Sequence, residues 1–493
     1  MSLKQLYKYV YLFLMMPLGV FLLSWLDYGF AFIFGIIYSI GCYKAFKNIN
    51  YQDVNWKISS CNLWIIIFIA AIWCFMAGIG YFYYQSFDYH FRNAVFRDLI
   101  NYKWPVFYNR ANTPMVYYMA FWLVPATITK FFSIFIGSKS LLFIIGNIIL
   151  FFYSVIGVTL ILLLLLKALN ISNGKKIYIA IFMFMFFSGL DIIGSKFFQI
   201  TEQPFEYHLD WWATFIQYSS ITTGMFWVFN QFIPIAIITL LIYNEKNVKN
   251  FGFLISLSLF FSPYPTAGIG ILLVCYAIYE YIKNKEKTSF IFNNIFSIQN
   301  IIGVFWLLPI IVLYFITNSE GMDGFHYIFN YTTPTRLLVF LLLEFAIYSL
   351  LIFPDNKRNI FFYIAFASLI FIPFLRLDQQ NNFCMRASIP AIIIMAICVI
   401  DFLINNSGNY IIRKYILAIL LIIGALTPVM EFYRGIHFTT SYKKLNLVAD
   451  EIYTLNQGFV RMPIFGWDAN HQYSARNYRD DFFWSLLAKR TWK

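Results

Sequence analysis

The stretch "SFDYHFRNAVFRDL", residues 86–99, crowds Asp88, His90, Arg92, Arg97 and Asp98 between apolar blocks. A carboxylate such as Asp88 can serve as general base toward a hydroxyl or as an oxygen ligand for a divalent cation, Mg or Mn. Arg92, one helical turn on, and His90 are suited to a phosphate. A second concentration is "SGLDIIGSKFFQITEQPFEYHLDWWATFIQYSS", residues 188–220. It supplies Asp191, Glu202, Glu206, His208 and Asp210, then the pair Trp211 and Trp212. Acids beside adjacent aromatic rings suit a sugar, whose apolar face stacks while its hydroxyls meet carboxylates. A third is "RLDQQNNFCMRASIP", 376–390, where Arg376 and Arg386 bracket Asp378. The planar guanidinium fits a fixed phosphate or pyrophosphate. Each group also has a plainer reading. Tryptophan pairs mark membrane interfaces, arginines pair with nearby acids, and wet loops hold polar residues.

These residues must be positioned by membrane-spanning helices. The 493 residues are 60% hydrophobic and 12% charged, with mean hydropathy +0.67. That is far too little charge for a water-soluble domain. Apolar runs long enough to cross a bilayer recur from end to end, so the fold class is an all-α polytopic membrane protein. The first run lacks a small-residue cleavage site and leads straight into a second, which argues against a removed signal. The net charge of +13 reports membrane topology rather than nucleic-acid binding. The six cysteines show no paired or metal-ligand spacing.

Hydropathy places spans near 9–25, 29–46, 62–84, 141–166, 177–192, 224–243, 250–262, 266–282, 299–317, 336–353, 360–375, 388–405 and 411–431. With the N-terminus in the cytoplasm, the lysines at 44, 47 and 57, 167–176, 246–249, 283–287 and 357 all fall inside. The short outer loops then hold only Lys196, Arg336, Arg376 and Arg386. The scheme needs an odd number of spans, about thirteen. It divides the chain into a transmembrane domain, 1–431, with outer loops 85–140 and 193–223, and an outer tail, 432–493. Residues 114–136 are long enough to span, but a crossing there would invert every later loop. They are therefore expected to be interfacial or re-entrant within the long first outer loop, with Pro125 and Lys130 breaking the segment. All five histidines, His90, His208, His326, His437 and His471, fall outside. Apolar spacing at Phe87, Phe91, Ala94, Val95 and Leu99 predicts an amphipathic helix lying on the membrane surface, with Asp88, Arg92 and Arg97 off its apolar stripe. Glu344 sits alone within an apolar run, "LLLEFAIY", and is expected to face the bundle interior as a hydrogen-bonding partner or part of an ion path.

With "FDYHFRNAVFRDL" opening the first long outer loop, the layout resembles the GT-C superfamily of membrane glycosyltransferases, while "SGLDIIG" and "NNFCMRASIP" resemble segments of large bacterial membrane proteins of unassigned chemistry. The GT-C proteins carry roughly a dozen spans and a long first outer loop with interfacial helices and an acid near its start. The resemblance implies transfer of a sugar from a polyprenyl-phosphate donor to a glycan, lipid or protein acceptor, with Asp88 as base or metal ligand. In most of the family the acid follows the first span; here it follows the third. The implied site adds Arg376, Arg386 or Arg92 at the phosphate. A transporter or flippase of a lipid-linked glycan, and a glycan polymerase or ligase, share the layout and stay open from the sequence.

Overall fold

The computed structural model describes the whole chain except residues 52–54, 87, 199–208, 319–323, 325, 378–380, 407, 409, 442–452, 458–471 and 492–493. Its architecture is all-α, with two short antiparallel ribbons: Phe107–Tyr108 with Thr113–Pro114, and His326–Tyr327 with Leu375–Arg376. Every apolar segment marked in the sequence is helical over much of its length. Among the described residues, eight helices are long and apolar enough to cross a membrane: Leu3–Trp25, Tyr28–Lys47, Lys139–Ala168, Ile221–Glu245, Pro263–Lys283, Ile298–Phe315, Pro334–Asn356 and Ile411–Ser441. Shorter apolar helices include Ser60–Met76, Lys176–Met185, Val248–Phe261, Ile360–Phe374 and Ile389–Asn405. Helix is the structure an apolar medium demands, since it satisfies each backbone group within its own segment. Helix starts fall where the sequence supplies a short polar acceptor for the first free N–H groups. Ser2, Asp27, Ser59, Ser138, Ser220, Thr333 and Asn359 all cap in this way.

The loops sort to two ends of the bundle. At one end the N-terminal ammonium donates to Ile58 O, Trp56 Nε1 to Ile171 O, and Asn247 Nδ2 to Asn48 O. Tyr11 Oη and the Asn50 N–H donate to Glu245 there, at 2.6 and 3.1 Å. At the other end the tail strings the loops together. Lys489 N–H donates to Trp25 O, Asp27 N–H to Leu487 O, Val116 N–H to Tyr473 O, and Arg476 N–H to Thr317 O. The tail therefore packs on the loops of that end, as its short length requires.

The segment 114–136 forms the helix Ala120–Phe132, whose 13 residues rise only about 20 Å. Phe121 reaches the rings of Phe13 and Tyr153 inside the bundle. Lys130 Nζ then returns to the carbonyls of Ile100 and Tyr102, at 3.0 and 2.6 Å. The last long helix runs on to Ser441, beyond the expected boundary at 431.

At the centre lies Ile221–Glu245, buried over almost all of its surface. It kinks at Val228, where φ is −137° and ψ is 38°. The kink lets its first two turns face the polar end of the bundle while the rest packs against Lys139–Ala168 and Ile389–Asn405.

Candidate functional site

Asp88 stands just before the helix Tyr89–Asn101. Its Oδ2 accepts from Arg92 Nη2 at 3.0 Å, the pairing expected one turn apart. The two partners differ in environment. The Asp88 side chain is 45% exposed and that of Arg92 only 6%. Nη1 of Arg92 has no hydrogen-bond partner among the described residues. Tyr89, Tyr117 and Tyr118 lie within electrostatic reach of this guanidinium. A carboxylate in contact with water is thus fixed by a cation that is not.

The rest of this helix corrects an expectation. It does not lie on the surface with solvated charges, because Asn93, Arg97 and Asp98 are also buried. The tail covers them. Thr454 Oγ1 and the Leu455 N–H donate to Asp98 at 2.5 and 2.9 Å. Arg97 donates to Tyr453 O at 2.8 Å and lies 4.2 Å from that ring's centre. Burial pushes the Asp98 carboxyl up to about 7, despite those hydrogen bonds and the neighbouring Arg97. His90 lies on the same helix, half-buried.

Of the second group, Glu202, Glu206 and His208 lie outside the described residues. Asp191, Asp210 and Trp212 do not form an exposed sugar platform. They are 0%, 0% and 1% exposed, whereas Trp211 is 42% exposed. Asp191 Oδ2 accepts from Ser188 Oγ at 2.8 Å and from Thr427 Oγ1 at 2.7 Å. Asp210 Oδ2 accepts from the Ser220 N–H at 3.3 Å, at the start of the central helix. Trp212 Nε1 donates to Glu344 Oε1 at 2.9 Å. Burial, and after it the Asp191 and Glu431 carboxylates, push Asp210 well above the ordinary carboxylate range. Beside them Arg434 Nη1 donates to both oxygens of Glu431 at 2.9 Å, and Trp227 Nε1 donates to Glu431 Oε2 at 2.9 Å.

Arg376 and Arg386 pack against aromatic rings of this same end. Arg376 is 7% exposed and lies 3.7 Å from the ring centre of Tyr331 and 4.7 Å from that of Phe215. Arg386 lies 5.9 Å from the ring centre of Tyr264, in the turn "SPYPTAG". Asn381 Nδ2 donates to Phe215 O at 2.7 Å. Gly268 lets the helix Pro263–Lys283 approach the 382–387 turn, since a Cβ there would meet Ala387 O at 2.1 Å. Residues 209–223, the start of the helix Pro263–Lys283 and the described part of 376–390 are therefore one assembly. Asp378 lies outside the described residues.

The assembly touches the Asp88 region through shared helices. Tyr89 stacks on Phe229 of the central helix, with ring centres 5.7 Å apart. The helix Leu426–Ser441 carries Thr427 and Glu431 at one end and Phe438, which stacks on Tyr84, at the other. Glu344, Thr427, Glu431 and Arg434 are the residues the candidate set lacked. Glu344 had a signal, an acid alone in an apolar run. The other three had none: Thr427 and Glu431 fall at the end of the expected span 411–431 and Arg434 just beyond it, where polar residues are ordinary.

A divalent cation finds little to hold it. Asp88 is engaged by Arg92, and among the described residues no three His, Cys, Asp or Glu side chains are disposed as metal ligands. No step below passes through a metal. No family model, no curated protein and no solved structure matches this chain.

Proposed function

We propose that this chain is a glycosyltransferase of the bacterial plasma membrane. It has about thirteen spans, a cytoplasmic N-terminus and an outer tail. It moves a sugar from a polyprenyl-phosphate donor to a glycan, lipid or protein acceptor on the outer face. The observation that carries this reading is the half-exposed Asp88 carboxylate held by buried Arg92. A general base must meet its substrate's proton within hydrogen-bond reach, and of the acids described above Asp88 is the one open to an incoming hydroxyl.

The chemistry is a displacement. The acceptor oxygen bonds to the anomeric carbon as the bond from that carbon to the phosphate oxygen breaks. Asp88 takes the acceptor's proton, and polyprenyl phosphate leaves with the electron pair. A single displacement inverts the anomeric centre. Arg92 orients Asp88 through one terminal nitrogen, and its other terminal nitrogen is suited to the charge that develops on the leaving phosphate. Tyr118, partly exposed beside them, supplies a ring and a hydroxyl for the sugar. The test is transfer of labelled hexose from a panel of undecaprenyl-phosphate hexoses in membranes containing the wild-type chain or Asp88→Asn. Full turnover by a folded Asp88→Asn protein would sink the assignment.

The buried carboxyls around Glu344 favour a second reading, a transporter or flippase of a lipid-linked glycan, since ionisable groups among spanning helices mark ion paths. Movement of lipid-linked glycan across liposomes without a new covalent product would select it.

A further inference from the structure

Asp191 and Glu344 come from segments far apart in sequence and are almost wholly enclosed, at 0% and 6% exposure. Gly189, two residues before Asp191, faces the Glu344 carboxyl, and the two carboxyls lie within electrostatic reach of each other. Ionised carboxylates have acceptors only, so a hydrogen bond between two such groups requires that one of them carry a proton. The remaining contacts leave room for it. Ser188 and Thr427 occupy Asp191 Oδ2, and Trp212 occupies Glu344 Oε1. Asp191 Oδ1 receives no donor from the described residues.

Among the described residues, the surroundings do not neutralise the pair. Asp210 adds a third carboxyl on the loop side. On the Leu426–Ser441 helix, Glu431 is matched by Arg434. Arg336 is set one ring away, over Phe198, which stacks on Trp212. Tyr218, Tyr348 and Cys384 are the other ionisable neighbours of Glu344. A cavity of ≈ 20 Å³ adjoins the pair, lined by Ser188, Ser219, Tyr218, Tyr348 and Glu344 among others. Its wall is mainly apolar, with the Ser188 and Ser219 hydroxyls and the Glu344 carboxyl among its polar groups, and its size suits about one water. The backbone is shaped for the contact. Gly189 faces Glu344, and a Cβ there would lie 2.0 Å from Oε2. The Leu190 N–H donates to Leu343 O at 3.1 Å, and the turn Leu342–Ala346 that carries Glu344 is π-helical. Such turns recur at functional positions.

We propose that Asp191 and Glu344 form a proton-binding site. They share one proton, exchange it through the adjoining cavity, and by it fasten segment 188–191 to the Pro334–Asn356 helix. Loss of the proton leaves two anions in contact in a low-dielectric interior, and they must part. The site stands apart from Asp88 and does not depend on glycosyl transfer. Its ligand is the proton, and its effect is to make the seating of segment 188–191 on the Pro334–Asn356 helix depend on pH.

The test is infrared difference spectroscopy of the purified full chain in nanodiscs, titrated in pH. The wild type is expected to show a protonated-carboxyl band that titrates and shifts in deuterated water. Glu344→Gln and Asp191→Asn should each remove it. Glu344→Gln should also hold segment 188–191 seated at every pH, because an amide N–H donates without a titrating proton. Should either single variant fail to fold, the double variant keeps an amide–amide hydrogen bond and takes its place. A band unchanged in the variants overturns the proposal. So does loss of the wild-type band on adding sodium at constant pH, which would make this a sodium site.

Discussion

Asp88 and Asp191 each follow an apolar run, yet they are held in opposite ways. Asp88 keeps nearly half its side chain in water and meets one cation, Arg92. Asp191 is sealed among Ser188, Thr427 and the Glu344 carboxyl. The first arrangement suits an acid that must meet a substrate and take its proton. The second suits an acid that keeps a proton and holds elements together. A charge costs little beside water and a great deal in the interior, where it needs a partner or a proton. What separates the two acids is therefore the direction from which their partners come.

The comparison breaks first in the transfer assay. Asp88→Asn is expected to lower transfer by about 10²–10⁴-fold, the usual range for loss of a general base. Asp191→Asn should leave it within several-fold. Equal losses would erase the distinction.

Stability gives the mirror image. Arg434→Met strands the buried Glu431 and should cost about 3–5 kcal/mol. Asp88→Asn, at a half-exposed ion pair, should cost about 1 kcal/mol or less. Survival of the monodisperse peak after a heating series in detergent measures both. A smaller step is Gly189→Ala, which forces a methyl onto Glu344 and should cost about 1–3 kcal/mol. Gly137→Ala is its control, since nothing lies within 4 Å of a Cβ there.

The smallest effect concerns Asp98, a buried acid served by the tail. Its carboxyl is raised from 3.8 to about 7. A raised carboxyl favours the protonated form when the tail is docked. Docking is thus firmest below the ordinary carboxylate range, and that contribution fades as pH rises from 3.8 to about 7. Limited proteolysis of the tail across this window should quicken with pH in the wild type and stay level in Asp98→Asn.

Much of the scaffold was legible in the chain. Apolar runs gave the helix positions, and Ser138, Ser220 and Thr333 marked starts because a short acceptor is needed there. Pro125 and Lys130, expected to break the segment after 114, instead lie inside the continuous helix Ala120–Phe132. The candidate site was legible in part. Asp88 with Arg92 follows from helical spacing, and Glu344 stood out against its run. The burial of Tyr89–Asn101 was not legible, since its charges at 92, 97 and 98 imitate a solvated face. The cover comes from Tyr453 to Leu455, some 350 residues on. Trp211 and Trp212 are adjacent in sequence, and only Trp212 turns inward to Glu344.

The sequence by itself determined that the chain is helical and membrane-bound, where its helices run, and that acids gather near their ends. Those properties are local: hydropathy, capping and the helical period each act over a few residues to one span. Tertiary structure alone decided which acid meets water and which meets another acid. The partners of Asp191 sit at Glu344 and Thr427, more than 130 residues away. Hydration is set by whatever packs over a group, and no local pattern encodes that.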